Sequence, residues 1–226
     1  MTAHRKRILT IALVLSWAAT APGQAADRTW RWNFDEESPM NPPSHFEFAL
    51  TGKGRAGKWQ LREERDAPSG PHILAQLDED PTNQRVPLAI AMEPSLRDLK
   101  LSVKCKPVYG NLDQACGLVF RYRDEATYYL ARSNVLQGTV RLYAVKDGKR
   151  TQIGGWTAPA NSRALPKKGW HDLAVEARGD ALTVQLNGKR VIDTTDKVHR
   201  QAGRVGVATE ADSQTWFDDL QVVALK

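Results

Sequence analysis

Phe120–Asn134 reads FRYRDEATYYLARSN. Two runs of aromatic and aliphatic residues flank a short acidic segment, Asp124-Glu125-Ala126-Thr127, which reads as the turn of a β-hairpin. Arg121, Arg123 and Arg132 lie within the runs, where a strand buried on both faces would carry apolar side chains. Alternation resolves the conflict, because successive side chains on a strand point to opposite faces. Phe120 and Tyr129 then belong to a core face, and Arg121, Arg123 and Arg132 to the other.

The same period extends in both directions. Short alternating runs are expected at 29–34, 45–50, 58–63, 72–77, 86–92, 98–106, 115–123, 127–134, 139–145, 150–153, 170–178, 181–186, 190–193, 203–209 and 215–224. Asp147-Gly148, Gly179-Asp180 and Asn187-Gly188 between such runs tolerate the positive φ that two-residue hairpin turns require. No stretch shows a sustained helical period with caps. Many short strands with turns between them predict an all-β, antiparallel two-sheet jelly-roll sandwich.

The chain begins with a basic triplet, Arg5-Lys6-Arg7, then an apolar run from Ile8 to Ala19 and small residues at Gly23–Ala26. That layout predicts a signal peptide over residues 1–25, with an apolar run too short to span a bilayer. It predicts an exported protein, periplasmic or extracellular, with no membrane span after cleavage and one domain over residues 26–226. Cleavage removes three of the 32 basic residues and leaves all 26 acidic ones, so the basic excess halves and gives little ground for nucleic-acid binding.

Cys105 and Cys116 are the only cysteines. LKLSVKCKPV and DQACGLVFRY read as strands joined by a turn at Tyr109–Asp113, which sets the cysteines opposite each other. In an oxidising compartment the pair is expected to form a disulfide, the alternative being two buried thiols. The five histidines show no zinc-ligand spacing, and His171 reads as a structural residue near the surface.

GLVFRYRDEATYYLARSN, VRLYAVKDGKR, GWHDLAVEARGDALTVQLNGKRV and GRVGVATEADSQTWFDDLQV resemble exported bacterial domains of the concanavalin A-like lectin/glucanase superfamily. The narrower resemblance is to laminin-G-like and 3-keto-disaccharide hydrolase-type domains, loosely glycoside hydrolase family sixteen-like. It covers Gly117 to Val223, with a weaker fit from Trp30 onward. The resemblance implies two curved sheets and a concave face that meets carbohydrate in relatives. In such folds the first and last strands run side by side, which would bring Asp35 near Asp218 or Asp219 as a possible structural calcium site. No other cofactor is expected.

Catalytic residues are not evident. A retaining glycosidase needs two carboxyl groups about 5–5.5 Å apart. The nearest match to the family-sixteen E-x-D-x-E pattern is Glu210-Ala211-Asp212-Ser213-Gln214, where Gln ends the pattern, and it reads as a solvated turn. Asp35-Glu36-Glu37 and Asp78-Glu79-Asp80 also read as solvated turns. Parity instead gathers Arg121, Tyr128, Arg132, Asn134, Arg141 and Tyr143 on one face. That set suits carbohydrate, with an aromatic ring on the C–H face of the sugar and Arg or Asn on its hydroxyls. The expected function is non-catalytic glycan binding. The alternatives are a hydrolase of 3-keto-glycosides, for which no base can be named, and a structural or protein-interaction module of the envelope. An ordinary wet sheet face would show the same alternation.

Overall fold

The computed structural model describes residues 28–160, 162–166 and 169–226; the expected signal peptide lies outside them. Among the described residues the architecture is entirely β, with fifteen strands. The first seven are β1 (Thr29–Trp32), β2 (Phe46–Thr51), β3 (Trp59–Glu63), β4 (His72–Gln76), β5 (Val86–Ala91), β6 (Leu99–Tyr109) and β7 (Ala115–Asp124). Next come β8 (Thr127–Asn134), β9 (Thr139–Lys146), β10 (Lys149–Thr157) and β11 (His171–Arg178). The chain closes with β12 (Ala181–Leu186), β13 (Lys189–Thr195), β14 (Arg204–Ala208) and β15 (Gln214–Ala224). Every expected run is a strand, most with shifted ends. The turns are as expected too, with Asp147-Gly148 and Asn187-Gly188 both at positive φ.

Two antiparallel sheets form the sandwich. One has the order β13-β12-β11-β6-β15-β4-β3, with β1 also paired to β15; the other has the order β10-β9-β8-β7-β14-β5-β2. First and last strands are thus neighbours. Alternation sets the core: Leu99, Leu101, Val103, Leu173, Val175, Phe217 and Val222 from one sheet meet Leu118, Phe120, Tyr129, Ala131, Val140 and Leu142 from the other. Each such side chain contributes on the order of 1.5–3 kcal/mol by leaving water.

The cysteines do form a disulfide, but not across a hairpin. β6 pairs with β11 and β15, whereas β7 pairs with β8 and β14, so the connection between β6 and β7 crosses from sheet to sheet. Cys105 and Cys116 therefore meet through the core and tie the layers together. A turn read locally cannot distinguish a hairpin from a sheet-to-sheet crossing.

A second apolar cluster lies on the face of the β7 sheet turned away from the core. It contains Val86, Leu88, Ile90, Val119, Tyr122, Tyr128, Leu130, Val145 and Ala208. The face is thus apolar along much of its length, and the ordinary wet face of the sequence reading does not describe it.

Candidate functional site

Arg121 departs most from expectation. Between Phe120 and Asp124 the pairing of β7 with β8 skips residues, and Arg121 adopts φ 50°. The bulge turns its side chain away from the ligand face. Its guanidinium is fully buried and donates to the carbonyls of Arg97 (2.8 Å), His199 (2.8 Å) and Gly179 (2.7 Å). Gly203 makes room for the bulge, since a Cβ there would lie 2.3 Å from the Arg121 carbonyl carbon. Arg121 is a structural clamp at one end of the sandwich, and Arg123 beside it is exposed.

Tyr128 is on the outer face as expected, but its hydroxyl meets Thr51 Oγ1 at 2.8 Å, and Thr51 donates to the Glu125 carbonyl. Burial pushes its phenol up to about 12. Arg141 lies along β10 and donates to the Trp156 carbonyl at 2.5 Å and to Thr157 Oγ1 at 3.3 Å.

The remaining three residues gather. Arg132 and Asn134 are alternate residues of β8, and Tyr143 faces Leu130 from β9. Arg132 stands opposite Gly117 on β7, which in turn faces Ala208 on β14. Gly117 leaves no side chain between them: a Cβ would lie 2.9 Å from Leu130 Cδ1 and 3.1 Å from Ala208 Cβ. Across that gap the Arg132 Nη1 pairs with Glu210, just beyond the end of β14. Nη2 donates to Gln137 Oε1 at 3.1 Å, and Asp113 Oδ1 is 3.7 Å from Nη1.

From β10, Arg150 brings Nη1 within 2.7 Å of the other Glu210 oxygen, an ion pair whose alignment falls short of a hydrogen bond. The Arg150 and Arg132 guanidinium carbons lie 4.6 Å and 5.8 Å from the Tyr143 ring centre. Asp113 accepts hydrogen bonds from Asn134 Nδ2 and, at 3.1 Å, from Gln137 Nε2. Burial raises the Asp113 pKa, opposed chiefly by Arg132. Burial likewise lowers the Arg132 pKa, with Tyr143 and Asp113 acting the other way. Arg132 Nε is buried without a partner.

The 210–214 segment is therefore not a solvated turn. Glu210 and Asp212 are both buried. Asp212 accepts the N–H groups of Asn111 (2.6 Å), Leu112 (3.1 Å) and Asp113 (3.1 Å), which holds the loop carrying Asp113. Behind it, the fully buried Arg85 donates to the Ala211 carbonyl at 2.7 Å and pairs with Asp78 at 2.8 Å. Asp78 and Asp80 thus belong to a network rather than a wet turn; Asp80 accepts from Thr82 Oγ1 and from the Arg55 N–H, both at 2.6 Å. Glu210, Asp113, Arg150 and Gln137 are the site members that sequence reasoning missed. Their only sequence signal was the carboxylate pattern at 210–212, because Glu210 and Arg132 are 78 residues apart.

Asp35 and Asp218 both hold the segment 69–72. Asp218 accepts from Ser69 N (3.0 Å), Ser69 Oγ (2.8 Å) and Asp219 N (2.6 Å), while Asp35 accepts from His72 N at 3.1 Å. These carboxylates anchor one segment, residues 69–72, to β15 and to the loop after β1. Asp219 lines a separate groove of about 620 Å³ on the other sheet, with Asn33, Lys104 and Asp172.

A family model described as a 3-keto-alpha-glucoside-1,2-lyase-like domain matches residues 53–223. Among solved structures, the carbohydrate-binding module CBM66 from Bacillus subtilis is similar at TM-score 0.59 and 20% identity, over 78% of this chain and 95% of that one. The cellulose-induced protein Cip1 is similar at TM-score 0.60 and 12% identity, over 87% and 97%. The exoplasmic/lumenal domain of VIP36, in a Ca2+/Man-bound form, is similar at TM-score 0.52 and 13% identity, over 80% and 83%. These likenesses show the jelly-roll fold. No curated protein matches.

Proposed function

The chain belongs to the family of 3-keto-alpha-glucoside-1,2-lyase-like domains, and from that premise we propose that it is an exported protein that binds carbohydrate through the outer face of the β7 sheet. The observation that carries the reading is the Arg132–Glu210–Arg150 assembly over Tyr143, flanked by Asp113, Asn134 and Gln137. Paired charges held rigidly beside an aromatic ring offer donors and acceptors at fixed positions, which is how polar sugars are recognised. The carbohydrate-binding module and the mannose-bound domain among its structural neighbours support a sugar ligand. Export rests on the leader pattern of residues 1–25. Titration calorimetry against a panel of glycans tests the reading. Arg132→Ala and Tyr143→Ala are each expected to weaken binding at least tenfold while the fold persists. Unchanged affinity in both variants would remove the site.

A second reading is favoured by the family match together with Asp113. Its burial makes its carboxyl group a better base than an exposed one, and it sits beside the Arg132 guanidinium. In a 3-keto-glycoside, loss of the proton between the carbonyl and the anomeric carbon would put charge on the carbonyl oxygen, where a guanidinium stabilises it. The anomeric C–O bond would then break with its electron pair on the glycosidic oxygen, which would take the proton back from Asp113 and leave as the second sugar, the first remaining as a 1,2-unsaturated 3-keto sugar. Release of sugar from 3-keto-disaccharides, lost in Asp113→Asn with binding retained, would establish this reading. Binding without turnover would leave the first.

A further inference from the structure

We propose that Cys105, Cys116 and His171 form a buried binding site for a soft divalent metal ion once the disulfide between the two cysteines is reduced. His171 opens β11 directly opposite Cys105 on β6, and it is buried rather than near the surface. Its Nε2 lies 3.4 Å from Cys105 Sγ and 2.8 Å from Ser133 Oγ. The donor atoms of Cys105, Cys116 and His171 all lie within 4.8 Å of one another. A tetrahedral zinc-type site has metal–sulfur and metal–nitrogen distances of about 2.3 and 2.0 Å, which puts nitrogen about 3.5 Å from sulfur. The imidazole thus already stands near the distance a shared metal would impose. Cα atoms 6.3 Å apart allow the two sulfurs to separate by side-chain rotation.

The imidazole presents Nε2 to both Cys105 Sγ and Ser133 Oγ, the edge a shared metal would occupy. Ser133, which alternates with Arg132 and Asn134 on β8, turns its hydroxyl inward beside Nε2 and can take the fourth position. A buried imidazole against a disulfide in the core has no part in the sugar face on the outer side of the β7 sheet, so this site stands or falls independently of it.

The steps balance. A dithiol reductant supplies two electrons and two protons, giving two protein thiols while the reductant closes to a cyclic disulfide. Metal binding then displaces the two thiol protons and leaves a dithiolate–imidazole complex.

The full-length protein, reduced in denaturant, freed of reductant and refolded under nitrogen with cobalt(II), tests the site. One equivalent should bind and produce the near-ultraviolet thiolate-to-cobalt charge-transfer band, absent from the oxidised protein. His171→Ala and His171→Gln should each weaken cobalt binding at least tenfold, and Cys116→Ser should abolish the band. The proposal is overturned if the refolded, reduced protein takes up no cobalt, or if both His171 variants bind it as tightly. It is equally overturned if the reduced chain fails to refold with or without the metal.

Discussion

Replacing Arg121 with Met separates a fold role from a ligand role. The side chain is wholly inside the protein and makes three hydrogen bonds of 2.7–2.8 Å to carbonyl oxygens, with Asp98 3.6 Å away. Hydrogen bonds to a charged group are worth about 1.5–3 kcal/mol each, and each carbonyl left unpaired in the interior adds a desolvation cost. Methionine recovers part of this by filling the volume and by removing the cost of burying a cation. Removing one partner of a buried charged network costs about 3–5 kcal/mol, which we take as the net loss. For a domain of this size each kcal/mol lowers Tm by about 2–4 °C, so Arg121→Met should melt about 10 °C below the parent. Calorimetric unfolding, paired with a glycan titration at a temperature where both proteins are folded, provides the measurement. Stability should fall and affinity should hold, whereas Arg132→Ala, which also breaks a buried ion pair, should lose affinity as well as stability. A Tm within 2 °C of the parent together with lost affinity would return Arg121 to the ligand face and refute the bulge.

Further outcomes follow from the same geometry. The disulfide closes a loop with a sequence separation of 11, which corresponds to about 2.8 kcal/mol of chain entropy. Cys105→Ala/Cys116→Ala should therefore melt about 8 °C lower than the oxidised protein, and adding reductant should leave that variant unchanged. Asp113 has its pKa raised in the folded state, so its contribution is greatest in acid and is lost as pH rises through that raised value. Denaturant titrations should accordingly show Asp113→Asn flattening the stability profile above the ordinary carboxylate range. His199 has its pKa lowered by burial, so its contribution is present above the ordinary histidine value and is lost as pH falls through the lowered one. His199→Gln should remove that acid-side slope, which the same titrations would detect.

Much of the fold was legible because its cause is local. Alternation along 115–123, 127–134 and 139–145 placed Leu118, Ala131 and Leu142 in the core and Arg132 and Tyr143 opposite, as the structure has them. Arg121 broke the pattern because β7 slips by one residue against β14 between Val119 and Tyr122, which puts Tyr122 rather than Arg121 on the outer face, and nothing in FRYRD announces a bulge. Glu210 was misread for a different reason. Its surroundings in sequence are those of a turn, and its partners Arg132 and Arg150 come from strands 78 and 60 residues earlier. The same holds for His171, whose ring meets Cys105 only because β11 pairs with β6.

Local chemistry therefore determined which segments are strands, where the hairpins turn and which side chains share a strand face. These depend on a period of two and on turn residues, both short-range properties. The tertiary structure decided that Cys105 and Cys116 join two layers, that Arg121 clamps carbonyls, and that Glu210 and Asp113 complete the arginine face. Each of these depends on which strands become neighbours, and that is set by burying both sheets against one core at once.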